Sequence, residues 1–228
     1  MTPEAGFAAL AATWPAHALR DLGPVRLRDG AGGGSRVSAA TLEGPFDLPG
    51  IEAAETAMRA EGRAPLFMVR AGEARLDAAL AARGYAVLDP TLILAAPLSA
   101  LDGITPNANW PPRPDQIAIW ADGDIGPARI AVMARIESAR AVLAHPGGCA
   151  FVANHGEISM LHALEVSAPV RRRGVGRALM AMAAGWARAE GARVLALAVT
   201  RANGSARSLY AGLGYGEVTS YHYRRAPA

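Results

Sequence analysis

Apolar and polar positions follow two different periods along this chain, and the clearest stretches lie in its second half. The run VLALAVT, Val194–Thr200, is continuously apolar and predicts a strand buried on both faces in a mostly parallel region. Before it, Val175, Leu179, Met182 and Trp186 recur at steps of three to four, one apolar stripe of a helix running to Glu190 and stopped by Gly191. After it, Ala206, Leu209, Tyr210 and Leu213 fall on one side of a helix over residues 203–213, ended by Gly214. Residues 215–224 are strand-like. Upstream, residues 126–138 have helical spacing. Residues 139–144 and 149–154 then read as strands about the turn signal His145-Pro146-Gly147-Gly148, and 157–166 as a longer strand after His155-Gly156. Strands first and alternating units afterwards make an α/β pattern.

The first hundred residues echo this. Residues 36–42 read as a strand, 51–61 as a helix and 65–70 as a strand. Residues 73–83 form a second helix closed by Gly84-Tyr85, and the strand-like AVLDPTLILAAP follows. Setting Gly84-Tyr85 against Gly214-Tyr215 aligns strand, helix and strand in both halves, the trace a duplicated unit leaves. Between the halves, LDGITPNANWPPRPD holds neither helix nor strand for long. The expected organisation is an N-terminal lobe (1–100), a linker (101–115) and a C-terminal domain (116–228).

Composition narrows the class. A chain of 228 residues suits one large domain or two small ones, and 51% hydrophobic residues exclude wholesale disorder. The single cysteine, Cys149, makes neither an internal disulfide nor a thiolate metal site, so no metal is expected and the thiol reads as buried and inert. Glu4 and the lack of early positive charge argue against a secretory signal, and no apolar run nears the roughly 18 residues of a membrane span. The expectation is a soluble cytoplasmic protein without membrane or nucleic-acid partners, with a homodimer left open. All 23 basic residues are arginine, and the net charge of +3 is mild.

The densest basic cluster is Arg171-Arg172-Arg173-Gly174-Val175-Gly176-Arg177, between a predicted strand and an amphipathic helix. Helix N-terminal amides lack internal partners and carry partial positive charge, so glycines there let an anion come close. The segment is neither a P-loop nor a dinucleotide fingerprint. It reads as a diphosphate cradle or, more plainly, as an exposed basic helix start.

Together with NGSARSLYAGLGY, this loop resembles the GNAT acyltransferase superfamily, whose pyrophosphate loop reads Q/R-x-x-G-x-G/A. Arg171, Gly174 and Gly176 match the loop, and Asn203, Ala206, Leu209, Tyr210, Leu213, Gly214 and Tyr215 match the second block. The resemblance covers residues 116–224 and implies the GNAT fold, a mixed sheet with flanking helices, here in two GNAT-like lobes. It implies acetyl-coenzyme A as acyl donor, with its pyrophosphate on the amides of Arg171, Arg172, Arg173, Gly174, Val175, Gly176 and Arg177. The strand ending at Val166 would splay from Val194–Thr200, so that the pantetheine arm pairs with backbone at Leu164, Glu165 and Val166. Asn203 would bond the arm, and Arg172, Arg173 or Arg177 would reach the 3′-phosphate.

Tyr210 would carry the chemistry most directly. A tyrosine hydroxyl, ordinarily protonated up to about pH 10, suits a general acid for a departing thiolate; the plainer reading is helix-face packing. The base is open. Strict alternation puts Ile158, Met160, His162, Leu164 and Val166 on one face and Ser159, Leu161, Ala163 and Glu165 on the other. His162 is the titratable group of the first face, and LHALEV looks like the strand of arylalkylamine N-acetyltransferases whose histidine assists amine deprotonation. Histone-type members carry a glutamate where Met160 stands. The competing reading makes His162 a satisfied, semi-buried histidine, with Glu165 a weaker candidate because its face differs.

Tyr221, His222 and Tyr223 would line an acceptor pocket or lie at an edge, and Trp110, Trp120 and Trp186 read as packing. In the first half, Leu80 stands opposite Tyr210 and Glu73 opposite Asn203, and the glycine loop is missing, so that half would bind no cofactor. It would be structural or form one wall of the acceptor site. The reading is an acetyl-coenzyme A-dependent N-acetyltransferase acting on a primary amine, deprotonated through His162 or water. A non-catalytic acyl-coenzyme A sensor or scaffold is the alternative.

Overall fold

The computed structural model describes residues 1–227. The chain begins with α1 (Pro3–Thr13), β1 (Ala18–Leu22), β2 (Val25–Asp29), α2 (Ser35–Ser38), β3 (Thr41–Leu42) and α3 (Leu48–Ala60). There follow β4 (Leu66–Arg70), α4 (Ala74–Ala82), β5 (Ala86–Pro97), β6 (Ala108–Asn109), α5 (Pro114–Asp122) and α6 (Pro127–Ala134). The last part holds β7 (Arg140–His145), β8 (Gly148–His155), β9 (Ile158–Val166), α7 (Val175–Ala189), β10 (Val194–Thr200), α8 (Gly204–Ala211) and β11 (Gly216–Arg225). Among the described residues no helix is long and apolar enough to cross a membrane.

Two compact units interleave along the chain. The larger holds Met1–Pro15, Ile93–Val199 and Asn203–Val218; the smaller holds Ala16–Leu92, Thr200–Ala202 and Thr219–Ala228. Contiguous bounds at 1–100, 101–115 and 116–228 do not describe them, because the divisions fall inside β5 and β11, and α1 belongs with the later residues. Residues 101–115 are not mere linker either. Asn109 pairs with Val142 as part of β6, and its side chain exchanges hydrogen bonds with Gln116 at the start of α5.

In the larger unit the strand order is β5-β10-β9-β8-β7-β6. Strands β6 to β9 run antiparallel in sequence, while β9 and β10 are parallel, joined through α7. The sheet is therefore mixed, with helices on both faces. Helix α7 covers one face, where Val175 and Leu179 press on Gly148 of β8. Helices α1 and α5 contact β8 and β9, with Cys149 Sγ 3.7 Å from the Gln116 carbonyl of α5.

In the smaller unit β1-β2-β3 form an antiparallel sheet, and β4 pairs with β11 in the order β4-β11-β5. Its core is Val25, Leu27, Ile51, Ala54, Met58, Phe67, Val69, Leu76, Leu80 and Tyr85. One expected element fails here. Residues 36–42 do not form one strand: Ser35–Ser38 coil into a helical turn after Gly34, at φ +95°, and only Thr41–Leu42 pair as β3. The turn buries Val37 completely and leaves Arg36 half-buried.

Candidate functional site

The larger sheet opens at one point. β9 and β10 pair from Ile158↔Val194 to Leu161↔Leu197, yet β9 continues to Val166 and β10 to Thr200. Past Leu161 the two parallel strands splay. β9 stays attached to β8 on its other side, through Glu165↔Cys149 and Val166↔Gly148. Backbone at Leu164, Glu165 and Val166 thus borders the gap, where an extended ligand can pair with it.

At the start of the splay lies a β-bulge. Between the pairs Phe151↔His162 and Cys149↔Glu165, β8 advances two residues and β9 three. Ala163 takes up the extra residue at φ +50°, a left-handed conformation that alanine adopts only under constraint. Trp120 of α5, wholly buried, supplies part of that constraint: its indole Nε1 donates to the Ala163 carbonyl at 2.8 Å.

The bulge corrects the face assignment. Cross-strand partners share a face, and Cys149 and Phe151, two residues apart on β8, point the same way. Their partners Glu165 and His162 therefore lie on one face, the one covered by α1 and α5, and not on opposite faces as strict alternation has it. Glu165 is half-buried against the C-cap of α5, close enough that a Cβ on Gly123 would collide with its carboxyl. Burial pushes the Glu165 carboxyl above its ordinary range, against the pull of Arg171 and Arg129.

His162 is more enclosed. It is 5% exposed, and its Nε2 lies 2.9 Å from Thr13 Oγ1. Because the Thr13 hydroxyl donates to the Ala9 carbonyl at 2.7 Å, its oxygen is left to accept the His162 Nε2 proton. Trp14 packs on the imidazole with centroids 5.0 Å apart, and Phe151 stands 6.3 Å away. α1 carries Thr13 and is followed by Trp14 at its C-cap, and sequence reasoning assigned it nothing, although Thr2 and Pro3 make a recognisable helix start.

Beyond β9 the loop turns into α7. The Arg171 Nε donates to the Val166 carbonyl at 3.0 Å, tying the loop to the end of the strand. Arg172 at φ +63° and Gly174 at φ +85° reverse the backbone, and Gly174 caps α7 with no side-chain hydrogen bond to its first turn. The amides of Val175, Gly176 and Arg177 head the helix, flanked by the exposed Arg171, Arg172, Arg173 and Arg177. A Cβ on Gly176 would meet only Leu209 Cδ2 of α8, at 3.2 Å, so α8 closes one side of this cradle. These residues fit a pyrophosphate: glycine-lined, cationic and headed by a positive helix end.

Helix α8 adds two of the expected side chains. Asn203 caps it, Oδ1 accepting from the Ala206 amide at 3.1 Å. Tyr210 is 7% exposed, and its hydroxyl pKa is pushed up to about 12, first by burial and then by the charge of Glu165. It remains a proton donor throughout the neutral range. Its neighbour Tyr215, centroids 5.9 Å apart, has a buried hydroxyl with no hydrogen-bond partner among the described residues. The Cys149 thiol is raised to about 12 by burial and by Glu165 and Asp115, which keeps it inert.

The remaining expectations fall in the smaller unit. Tyr221 and Tyr223 are buried beside Arg36, and His222 Nε2 lies 2.8 Å from Asp77. β11, which carries them, lies between β4 and β5 and is not an edge.

Residues 106–215 match the Acetyltransferase (GNAT) family. Among solved structures, a GCN5-related N-acetyltransferase from Kribbella flavida is similar over 100% of this chain and 97% of its own, with TM-score 0.74 and 19% identity. A putative acetyltransferase of the GNAT family from Novosphingobium aromaticivorans is similar over 90% and 89%, TM-score 0.56 and 18% identity. A tandem GNAT protein from the clavulanic acid biosynthesis pathway is similar over 90% and 78%, TM-score 0.57 and 16% identity. No curated protein matches the chain by sequence.

Proposed function

Because residues 106–215 match the GNAT acetyltransferase family, we propose that the larger unit transfers an acetyl group from acetyl-coenzyme A directly to a primary amine. The observation that carries the reading is the parallel pair β9/β10 parting beside a glycine-capped, arginine-flanked helix start. Acetyl-coenzyme A would supply an activated acyl thioester. The amides of Gly174, Val175, Gly176 and Arg177 would hold its pyrophosphate, and Arg172, Arg173 or Arg177 its 3′-phosphate. Backbone at Leu164, Glu165 and Val166 would pair with the pantetheine arm, and Asn203 would donate to the arm through its amide nitrogen, since its oxygen caps α8.

The chain's own residues divide the proton work between two faces. Tyr210 holds a proton on its hydroxyl and would deliver it to the departing thiolate. Glu165, on the face covered by α1 and α5, would take the proton of the attacking amine directly or through a water. His162 is a weaker base in this geometry, because its Nε2 proton is committed to Thr13 and Trp14 covers its ring. Amides at the splay would stabilise the negative charge that develops on the acyl oxygen. No covalent enzyme intermediate is required.

The test is a calorimetric titration with acetyl-coenzyme A, followed by thiol release against a panel of primary amines. Micromolar binding with amine-dependent thiol release is expected. Binding without turnover across the panel would favour an acyl-coenzyme A sensor, and no binding would overturn the reading.

A further inference from the structure

The loop that heads α7 stands on a part of the larger unit to which acyl transfer assigns no role. Two valines bracket the loop residues 171–174. Val170 ends the tight turn Ala168–Val170, and Val175 begins α7. Both bear on the turn between β7 and β8, His145-Pro146-Gly147-Gly148. A Cβ on Gly147 would lie 2.6 Å from Val170 Cγ2, and one on Gly148 would lie 2.6 Å from Val175 Cγ1. Non-bonded carbons settle nearer 3.5–4.0 Å, so each glycine makes room for the valine opposite it.

Hydrogen bonds hold the same contact. The Gly147 carbonyl accepts from the Ser167 N–H at 2.8 Å, and the Ser167 carbonyl accepts from the Val170 N–H at 3.0 Å. Gly148 pairs with Val166, the last residue of β9. Past Val170 the chain leaves this support. Arg172, Arg173 and Gly174 are exposed, and Arg172 and Gly174 take left-handed φ of +63° and +85°. An arginine persists in that conformation only where its surroundings impose it. The exposed stretch has little packing of its own, so its two ends set its shape. Both ends rest on adjacent glycines of one hairpin turn.

We propose that Gly147 is a positioning residue for acetyl-coenzyme A: with Gly148 it makes the β7–β8 turn the seat on which Val170 and Val175 fix the span of the pyrophosphate loop. The proposal rests on the cofactor reading given above. The turn itself touches no part of the cofactor and acts through the two valines. Helix-start amides hold a phosphate only while their N–H groups converge on it, and a misplacement of about 1 Å can cost roughly 10²-fold.

Gly147→Ala tests this, because its one added methyl enters at Val170. Valine is stiff about χ1, so the shift falls on the loop that carries it. Gly147 sits at φ +73°, which adds backbone strain to the variant. Gly156→Ala is matched for that strain: Gly156 lies in the turn at the other end of β8, at φ +57°, with nothing within 4 Å of its Cβ position. Acetyl-coenzyme A is titrated into wild type and each variant by calorimetry, and melting temperatures are recorded alongside.

Gly147→Ala should lose about tenfold or more in affinity, while Gly156→Ala loses comparable melting temperature and keeps wild-type affinity. Val170→Ala should weaken binding several-fold in the wild-type background, since the loop loses its footing. In the Gly147→Ala background it should strengthen binding, because it vacates the space the added methyl needs. A general loss of stability does not give that reversal of sign. Should Gly147→Ala fail to fold, Val170→Ala alone decides: weakened binding supports the seat and wild-type affinity overturns it. The proposal also falls, with the cofactor reading intact, if wild type binds and folded Gly147→Ala binds as tightly, or if Gly156→Ala loses as much affinity as Gly147→Ala. A wild type that does not bind overturns the cofactor reading and this proposal with it.

Discussion

The segments α3–β4–α4–β5 and α7–β10–α8–β11 share a framework. In each, three residues link strand to the second helix, which closes on a left-handed glycine: Gly84 at φ +79° and Gly214 at φ +84°. The following tyrosine amide returns to the helix at 3.1 Å, Tyr85 to Leu80 and Tyr215 to Tyr210. The helix starts differ. The first turn of α3 is capped by Asp47, whose carboxylate accepts from the Gly50 amide at 3.0 Å, and a Cβ on Gly50 would sit tightly, at 3.1 Å, against Pro24 and Asp47. The first turn of α7 is capped by a glycine and ringed by arginines. An anion reaching α3 would meet a negative charge on an occupied amide; at α7 it would meet amides and cations. Apolar spacing and the Gly-Tyr closure make the framework, and a few positions at the helix starts decide what it can hold.

The sharpest way to break this comparison is Gly176→Leu. A side chain there fills the cradle and pushes on Leu209, so acetyl-coenzyme A affinity should fall below detection while far-UV circular dichroism stays that of the folded chain. Unchanged affinity in calorimetric titration would remove the cofactor from α7. The wild-type titration also tests the other segment. Asp47 at α3, with Leu80 and Glu73 opposite Tyr210 and Asn203, predicts one cofactor per chain, and a stoichiometry of two would undo the contrast.

Next in size is Tyr210→Phe, which makes that position more like the apolar Leu80. General acids contribute roughly 10²–10⁴-fold, so kcat should drop at least about tenfold with little change in cofactor affinity. Near-normal turnover, measured where chemistry limits the rate, would leave Tyr210 a packing residue. Glu165→Gln addresses the opposite face. Burial raises the Glu165 carboxyl, so its base form, and with it kcat/KM, should rise with pH above the ordinary glutamate range. The variant should lose that acidic limb of the profile; a profile that keeps it would return the role to another group.

Much of the framework was legible in the pattern of residues. Val194–Thr200 is a strand over the predicted bounds, and β7, β8, β9, α7 and α8 begin and end within two residues or so of their expected positions. Apolar periodicity is a local signal, and these elements bury what it says they bury. The bulge at Ala163 was not legible, because nothing in LHALEV marks a left-handed alanine. It depends on Trp120, 43 residues away, reaching its carbonyl. That one shift moved Glu165 to the face of His162. The surroundings of His162 were equally hidden, since Thr13 lies 149 residues earlier. The turn at Ser35–Ser38 shows the opposite failure: a short alternating run satisfied strand spacing, while the chain, reversed at Gly34, coils into a helical turn.

The smallest expected effects come from the two tyrosines that close the matched helices. Both are nearly buried, Tyr85 at 4% and Tyr215 at 7% exposure. The Tyr85 hydroxyl donates to Glu55 Oε1 at 2.8 Å, whereas the Tyr215 hydroxyl has no partner among the described residues. Tyr85→Phe therefore removes a hydrogen bond to a charged acceptor, worth about 1.5–3 kcal/mol. Glu55 would keep its two contacts with Arg83, at 3.1 and 2.8 Å, which places the loss at the lower end of that range. At roughly 2–4 °C per kcal/mol for a chain of this size, the melting temperature should fall by several degrees. Tyr215→Phe removes an oxygen that is desolvated without compensation, so its melting temperature should hold or rise. Opposite responses from residues in equivalent positions would show that the shared closure needs only the ring. Equal losses would mean that the Tyr215 hydroxyl is bonded in solution.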